Sequence, residues 1–167
     1  MALRRIVLEG DDCLKKVCRP IMEFNPRLHQ LLDDMKETLR SANGAGLAAP
    51  QVGVIRRACI VLDEDADEMI ELVNPEIIEQ SGEQNGLEGC LSVPGKYALI
   101  VRPNRVRVRA QDRTGKVVEI ERTGVTARAF CHEIEHLDGH LFTEHTNHIL
   151  TDRELEDYLT REEKEGR

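Results

Sequence analysis

The sequence predicts a mixed fold of helices and short strands, and three observations carry that prediction. An amphipathic segment from Pro26 to Arg40 repeats its leucines at helical spacing. Short apolar runs punctuated by turn residues follow between Arg57 and Glu121. A second helical segment starts near Gly124 and carries the pattern His132-Glu133-Ile134-Glu135-His136.

The first helix opens on Asn25-Pro26, a capping residue followed by proline at the first helical position. Leu28, Leu31, Leu32, Met35 and Leu39 form its apolar face, and Asn43-Gly44 ends it. His29 stands beside that face as a surface or boundary residue. Gly44 to Gln51 (G-A-G-L-A-A-P-Q) has small residues and a proline, and by itself it reads as a loop into the next strand. Its glycines permit another backbone to approach, and Gln51 brings an amide with two donors.

Arg57 to Asp63 reads as a buried strand, and Glu64 to Glu68 as an acidic turn. Met69–Val73 and Glu76–Glu79 read as two shorter strands flanking Asn74-Pro75, and Ser81–Gly86 as a polar loop. Arg105 to Arg109 alternates basic and apolar residues, the pattern of a half-exposed strand. Asp112-Arg113-Thr114-Gly115 is a hairpin turn, and Lys116 to Glu121 returns as its second strand. A short acidic helix, about residues 152–163, closes the chain.

The chain has 167 residues, 40% of them hydrophobic and 32% charged, which predicts one globular domain of residues 1–167. Its core covers about residues 1–150, and 151–167 form a terminal helix or tail. A formal net charge of -8 argues against a general nucleic-acid binder. No apolar run has the length of a membrane span and the start has no signal-type apolar region, so the cytoplasm is the expected location. The five cysteines are odd in number and contain no C-x-x-C pair, so neither a disulfide framework nor a zinc finger is indicated.

The H-E-x-x-H segment carries the chemistry. On a helix, His132 and His136 stand one turn apart on one face and can share a divalent metal, with Glu133 placed as a general base. The plain alternative is an exposed acidic helix. Against it, Val125, Ala129, His132 and His136 share a face, Phe130, Ile134 and Leu137 widen the apolar surface, and Gly139 provides a stop. Buried histidines need partners. Two imidazoles leave a catalytic metal one ligand short. Phe142 occupies the position where a metzincin has its third histidine, so that family is excluded. His140 lies beyond the glycine stop. Glu154 or Glu156 would suit a thermolysin-like site but sit on a polar terminal helix. Cys90, in Glu88-Gly89-Cys90-Leu91-Ser92, is the remaining soft ligand.

Taken together, G-A-G-L-A-A-P-Q (Gly44 to Gln51), E-G-C-L-S (Glu88 to Ser92) and H-E-I-E-H-L-D-G (His132 to Gly139) resemble the three motifs of the bacterial peptide deformylases. The resemblance includes their order and spacing and covers about the first 145 residues. It implies an α+β fold in which antiparallel β-sheets enclose a central metal-binding helix, with an N-terminal helix and a short C-terminal helix. It implies one divalent metal per chain, natively Fe(II) with Zn, Ni or Co as substitutes, on Cys90, His132 and His136. The implied reaction removes the formyl group from N-formylmethionine of newly synthesised polypeptides and releases formate.

In that reading Glu133 is the base, and Gln51 with the backbone N–H of Leu91 stabilises the oxyanion. Ala45, Gly46 and Gly89 pair with the substrate backbone, and Val125 and Ala129 line the methionine pocket. Glu88 and Arg102 form a supporting ion pair. The partner is an N-formylmethionyl nascent peptide, with no membrane and no direct nucleic-acid contact. The chain departs from the family pattern at Glu135 (commonly Asp), Ala45 (frequently Ile) and Cys131 (commonly Gln). Its tail is acidic, so ribosome contact, if transiently made, does not follow the basic-tail mode. Two competing readings are a zincin-type endopeptidase with a carboxylate third ligand and a closed structural metal site. A structural site needs neither Glu133 nor Gln51.

Overall fold

The computed structural model describes residues 2–166. Helix α1 spans Pro26–Ala42, with the Asn25 side chain accepting the Leu28 N–H at 3.1 Å and Asn43 ending it in the left-handed region. Seven strands follow: β1 (Gly46–Ala48), β2 (Ala58–Asp63), β3 (Glu68–Ser81), β4 (Gln84–Cys90), β5 (Val93–Arg102), β6 (Arg105–Gln111) and β7 (Val117–Thr123). Helix α2 covers Gly124–Leu137 and helix α3 Asp152–Lys164. The fold is α+β: five strands form one antiparallel sheet in the order β1-β2-β3-β6-β7, and β4 pairs β5 in a second.

Strand β2 shows why the pieces stack as they do. Its side chains alternate between two apolar layers, Ala58 and Ile60 toward α1, Cys59 and Val61 toward α2. Being covered on both faces, it reads in sequence as a continuous apolar run. Leu28, Leu31, Leu32, Met35 and Leu39 of α1 fill one layer with Leu47 and Val73. Ala127, Phe130, Ile134 and Leu137 of α2 fill the other with Leu72, Val106 and Val108. The arginines of β6 point outward and pair with Glu79, Glu119 and Glu121, as its alternation predicts. The β4–β5 hairpin carries its own small cluster of Val93, Ala98, Ile100 and Phe142.

Three expectations are corrected. Met69–Val73 and Glu76–Glu79 are one strand: Asn74 adopts φ 50° in a bulge, and its side chain binds Ile21 N, Ile21 O and Gln111, which carries the strand past Pro75. Ser81–Gly86 is not a loop, because Gln84, Asn85 and Gly86 pair with Arg102, Val101 and Ile100. The stretch from Gly46 to Ala48 is a strand on β2 rather than loop. Gly139 does end α2, at φ 83°, and a Cβ there would stand 2.5 Å from the Lys15 carbonyl oxygen. Among the described residues no helix is long and apolar enough to cross a membrane, and no residue of α3 is buried.

A charged cluster ties α1 to the sheet: Arg113 pairs with Glu71 and Asp33, and Lys36 reaches Glu71 at 2.9 Å. Burial opposes ionisation of Glu71, but Arg113 and Lys36 outweigh it and hold its carboxyl below the ordinary 4.5. A depressed folded-state value means the pair stabilises the fold above about 4.5 and is lost as pH falls through the lower folded value. Denaturant unfolding of the wild type should therefore weaken below that pH more steeply than that of Glu71→Gln; parallel pH profiles would contradict it.

Candidate active site

The cysteine and both histidines converge. The ligating atoms of Cys90, His132 and His136 all lie within 4.8 Å of one another, the only such group of three among the described residues. Cys90 ends β4; the histidines project from one face of α2, their rings 5.0 Å apart. The Cys90 Sγ is 3.4 Å from His136 Nε2. His132 Nδ1 is bonded to Glu88 Oε2 at 2.9 Å, which turns its other nitrogen toward the cluster. One thiol and two imidazoles are a donor set that fits a catalytic transition metal.

Glu133 is 3% exposed, and its Oε1 has no hydrogen-bond partner. Burial pushes its carboxyl up to about 7, with His132 opposing the rise. The carboxylate lies against β1: a Cβ on Gly46 would stand 2.5 Å from Glu133 Oε2. In the structure the glycine thus makes room for the carboxylate. Gln51, also buried, accepts the Ala48 N–H on Oε1 at 2.9 Å. That fixes the amide, and its Nε2 donates to Ser92 Oγ at 3.1 Å and faces Cys90 Sγ at 3.5 Å.

A cavity of about 340 Å³ collects the remaining candidates: Ala45, Gly46, Gln51, Gly89, Cys90, Leu91, Val125, Ala129, His132 and Glu133 all line it. His136 lies behind this wall at 1% exposure. Val125 does not join the buried face of α2: it stands in the first turn of the helix, 62% exposed, while still lining the cavity. His140 pairs with Glu144 and Glu154 with His148, all exposed, and neither joins the cluster.

Three participants escape the sequence reading. Arg128 adds a second guanidinium to Glu88, at 2.9 Å, beside the expected Arg102 at 2.7 Å. Its signal was a lone arginine on an apolar helix, one turn before His132. Tyr97 lies over Gly89, where a Cβ would come within 2.6 Å of its ring. Ser92 holds the Gln51 amide. Burial opposes the ionisation of Glu88, yet His132 and Arg102 overcome it and hold the carboxyl far below the usual carboxylate range.

A buried carboxylate beside a Cys-His-His cluster, in an α+β frame, fits the class of metallohydrolases. Residues 3–151 match the family model described as Polypeptide deformylase. A peptide deformylase of Agathobacter rectalis is 50% identical over 157 residues, 94% of this chain and 98% of that one. The crystal structure of a peptide deformylase from Legionella pneumophila superposes with a TM-score of 0.83 at 39% identity, covering 96% of this chain and 98% of the other. A Met-Ala-Ser-bound peptide deformylase from Acinetobacter baumannii gives 0.82 at 34% identity, over 87% and 99%. The chain belongs to the peptide deformylase family, the metal-dependent hydrolases that remove the N-formyl group from newly synthesised polypeptides.

The Gly46 contact gives a direct expectation. Gly46→Ala should push the Glu133 carboxylate off β1 and lower kcat toward the loss of about 10²–10⁴-fold that removal of a general base costs, while the protein stays folded by circular dichroism. Wild-type kcat in folded Gly46→Ala would show that this contact does not position Glu133.

Proposed function

We propose that this chain hydrolyses the formyl amide of N-formylmethionine on nascent peptides in the cytoplasm, releasing formate. One divalent metal per chain, natively Fe(II), would be held by Cys90, His132 and His136, with Zn, Ni or Co as substitutes. The observation that carries this reading is the convergence of three ligand atoms on one point, with an unpartnered carboxylate oxygen of Glu133 beside the same cavity. When bound, the metal polarises a carbonyl and acidifies water.

Glu133 accepts the proton of the attacking water and returns it to the leaving amine. The Gln51 amide, held by Ala48 and Ser92, presents an N–H toward the cluster, and with the Leu91 backbone N–H it stabilises the developing oxyanion. Gly46 lies on β1, an edge of the five-stranded sheet, next to Ala45, and Gly89 lies on β4 of the two-stranded sheet. Both edges border the cavity, which supports pairing of the peptide between them as an added strand. Val125 and Ala129 form the side that takes the methionine side chain. The Met-Ala-Ser ligand of the Acinetobacter baumannii relative supports a peptide with N-terminal methionine. The acidic α3 would be repelled by ribosomal RNA, so transient ribosome association would use another surface.

The zincin-type alternative needs a carboxylate third ligand, and Glu154 is paired elsewhere. Selectivity separates the two. Metal-loaded enzyme should release formate from formyl-Met-Ala and barely touch acetyl-Met-Ala, whose extra methyl crowds the carbonyl and makes it less electrophilic. Equal rates on the two would sink the deformylase reading, and internal cleavage of an unformylated peptide would favour the endopeptidase. Glu133→Gln, loaded with the same metal, should lose about 10²–10⁴-fold in kcat; near-normal turnover would remove Glu133 from the chemistry.

A further inference from the structure

The Arg102 guanidinium does not stop at Glu88. Its Nη1 donates to Glu135 Oε1 at 2.6 Å, and His145 Nε2 approaches the same oxygen at 2.8 Å. A continuous chain therefore runs His145, Glu135, Arg102, Glu88, His132. His145 ends the short 3-10 turn Phe142–His145, whose other end, Phe142, stacks on the His132 ring with centroids 5.9 Å apart. One turn thus reaches the same imidazole twice, by ring contact and through four polar links. The longer side chain at position 135 has a use here: one oxygen must reach two partners on different elements.

Arg102, Glu135 and His145 also line a second cavity, about 680 Å³, bordered by Cys131 and Ile134 of α2. None of its lining residues lines the substrate cavity. Changes at Glu135 or His145 can therefore alter the cluster without touching bound peptide.

We propose that Glu135 and His145 are positioning residues of the metal centre: they hold Arg102, and through it Glu88, so that the His132 ring stays fixed for its ligand role. This rests on the reading of Cys90, His132 and His136 as ligands. Partners behind a metal-bound histidine tune affinity even though they never touch the ion.

The test uses Co(II)-loaded enzyme, with three readouts: cobalt release to a chelator, the visible absorption spectrum, and kcat and KM on formyl-Met-Ala. Glu135→Gln keeps the size and removes the charge; it should release cobalt about 10-fold faster, shift the spectrum and lower kcat, with KM unchanged to within about twofold. Glu135→Asp, which keeps the charge but not the reach, should fall between it and the wild type. His145→Ala alters a side chain 43% exposed, so it carries the test should Glu135→Gln fail to fold, and it should speed release to a smaller extent. Asp138→Asn breaks the Arg57 pair on the same helix end and should leave release and spectrum at wild type.

Wild-type release and spectrum in both Glu135→Gln and His145→Ala would overturn the proposal, as would equal acceleration by Asp138→Asn. A thiolate-to-cobalt absorption band that disappears in Cys90→Ala shows that the ligand reading stands when the positioning role fails. Its absence from the wild type would overturn the ligand reading and the positioning role with it.

Discussion

One buried carboxylate organises this molecule. Glu88, 5% exposed, accepts from Arg102 through two nitrogens, from Arg128 and from His132, and so fastens β4 to β5 and both to α2. A charge in that position is tolerated only because every donor is present; removing one partner would strand the others in a site with little water. The same residue that locks the hairpin against the helix also sets the orientation of a histidine in the cluster. Structural integrity and site geometry therefore depend on one set of hydrogen bonds.

The apolar layers supply the rigidity that this arrangement needs. Helix α2 rests on the five-stranded sheet through Phe130, Ile134 and Leu137, and α1 backs the opposite face of that sheet. The H-E-x-x-H residues consequently project from a helix that cannot shift without opening a close-packed core. Small residues do the fitting at the contact between β1 and α2. Gly46 lets the Glu133 carboxylate approach the strand backbone, and Ala48 anchors the Gln51 amide that faces Cys90.

Much of this was legible in the residues. The caps of α1, the alternation of β6 and the glycine stop of α2 each follow from local chemistry, and the structure agrees. The three motifs named the family, and their residues meet around one cavity. The β4–β5 hairpin was harder to read. Gly86 and Gly89 weaken the strand signal in β4, and Leu99 and Val101 of β5 face outward although apolar, so no two-residue alternation survives. Asn74-Pro75 looked like a break because both are turn residues, but Asn74 takes a positive φ in a bulge where three tertiary hydrogen bonds hold its side chain. Arg128 and Ser92 could not be placed from spacing, since their partners lie 40 and 41 residues away.

On the proposed mechanism, one divalent metal bound through the Cys90 thiolate and the two imidazoles of His132 and His136 would make this fold a formyl hydrolase. Metal content and formate release, measured together on anaerobically iron-loaded wild type and Cys90→Ala, test it most directly. The wild type should carry one ion per chain and release formate rapidly from formyl-Met-Ala, and folded Cys90→Ala should lose both. A Cys90→Ala protein that keeps a full complement of iron and its formate release would contradict it.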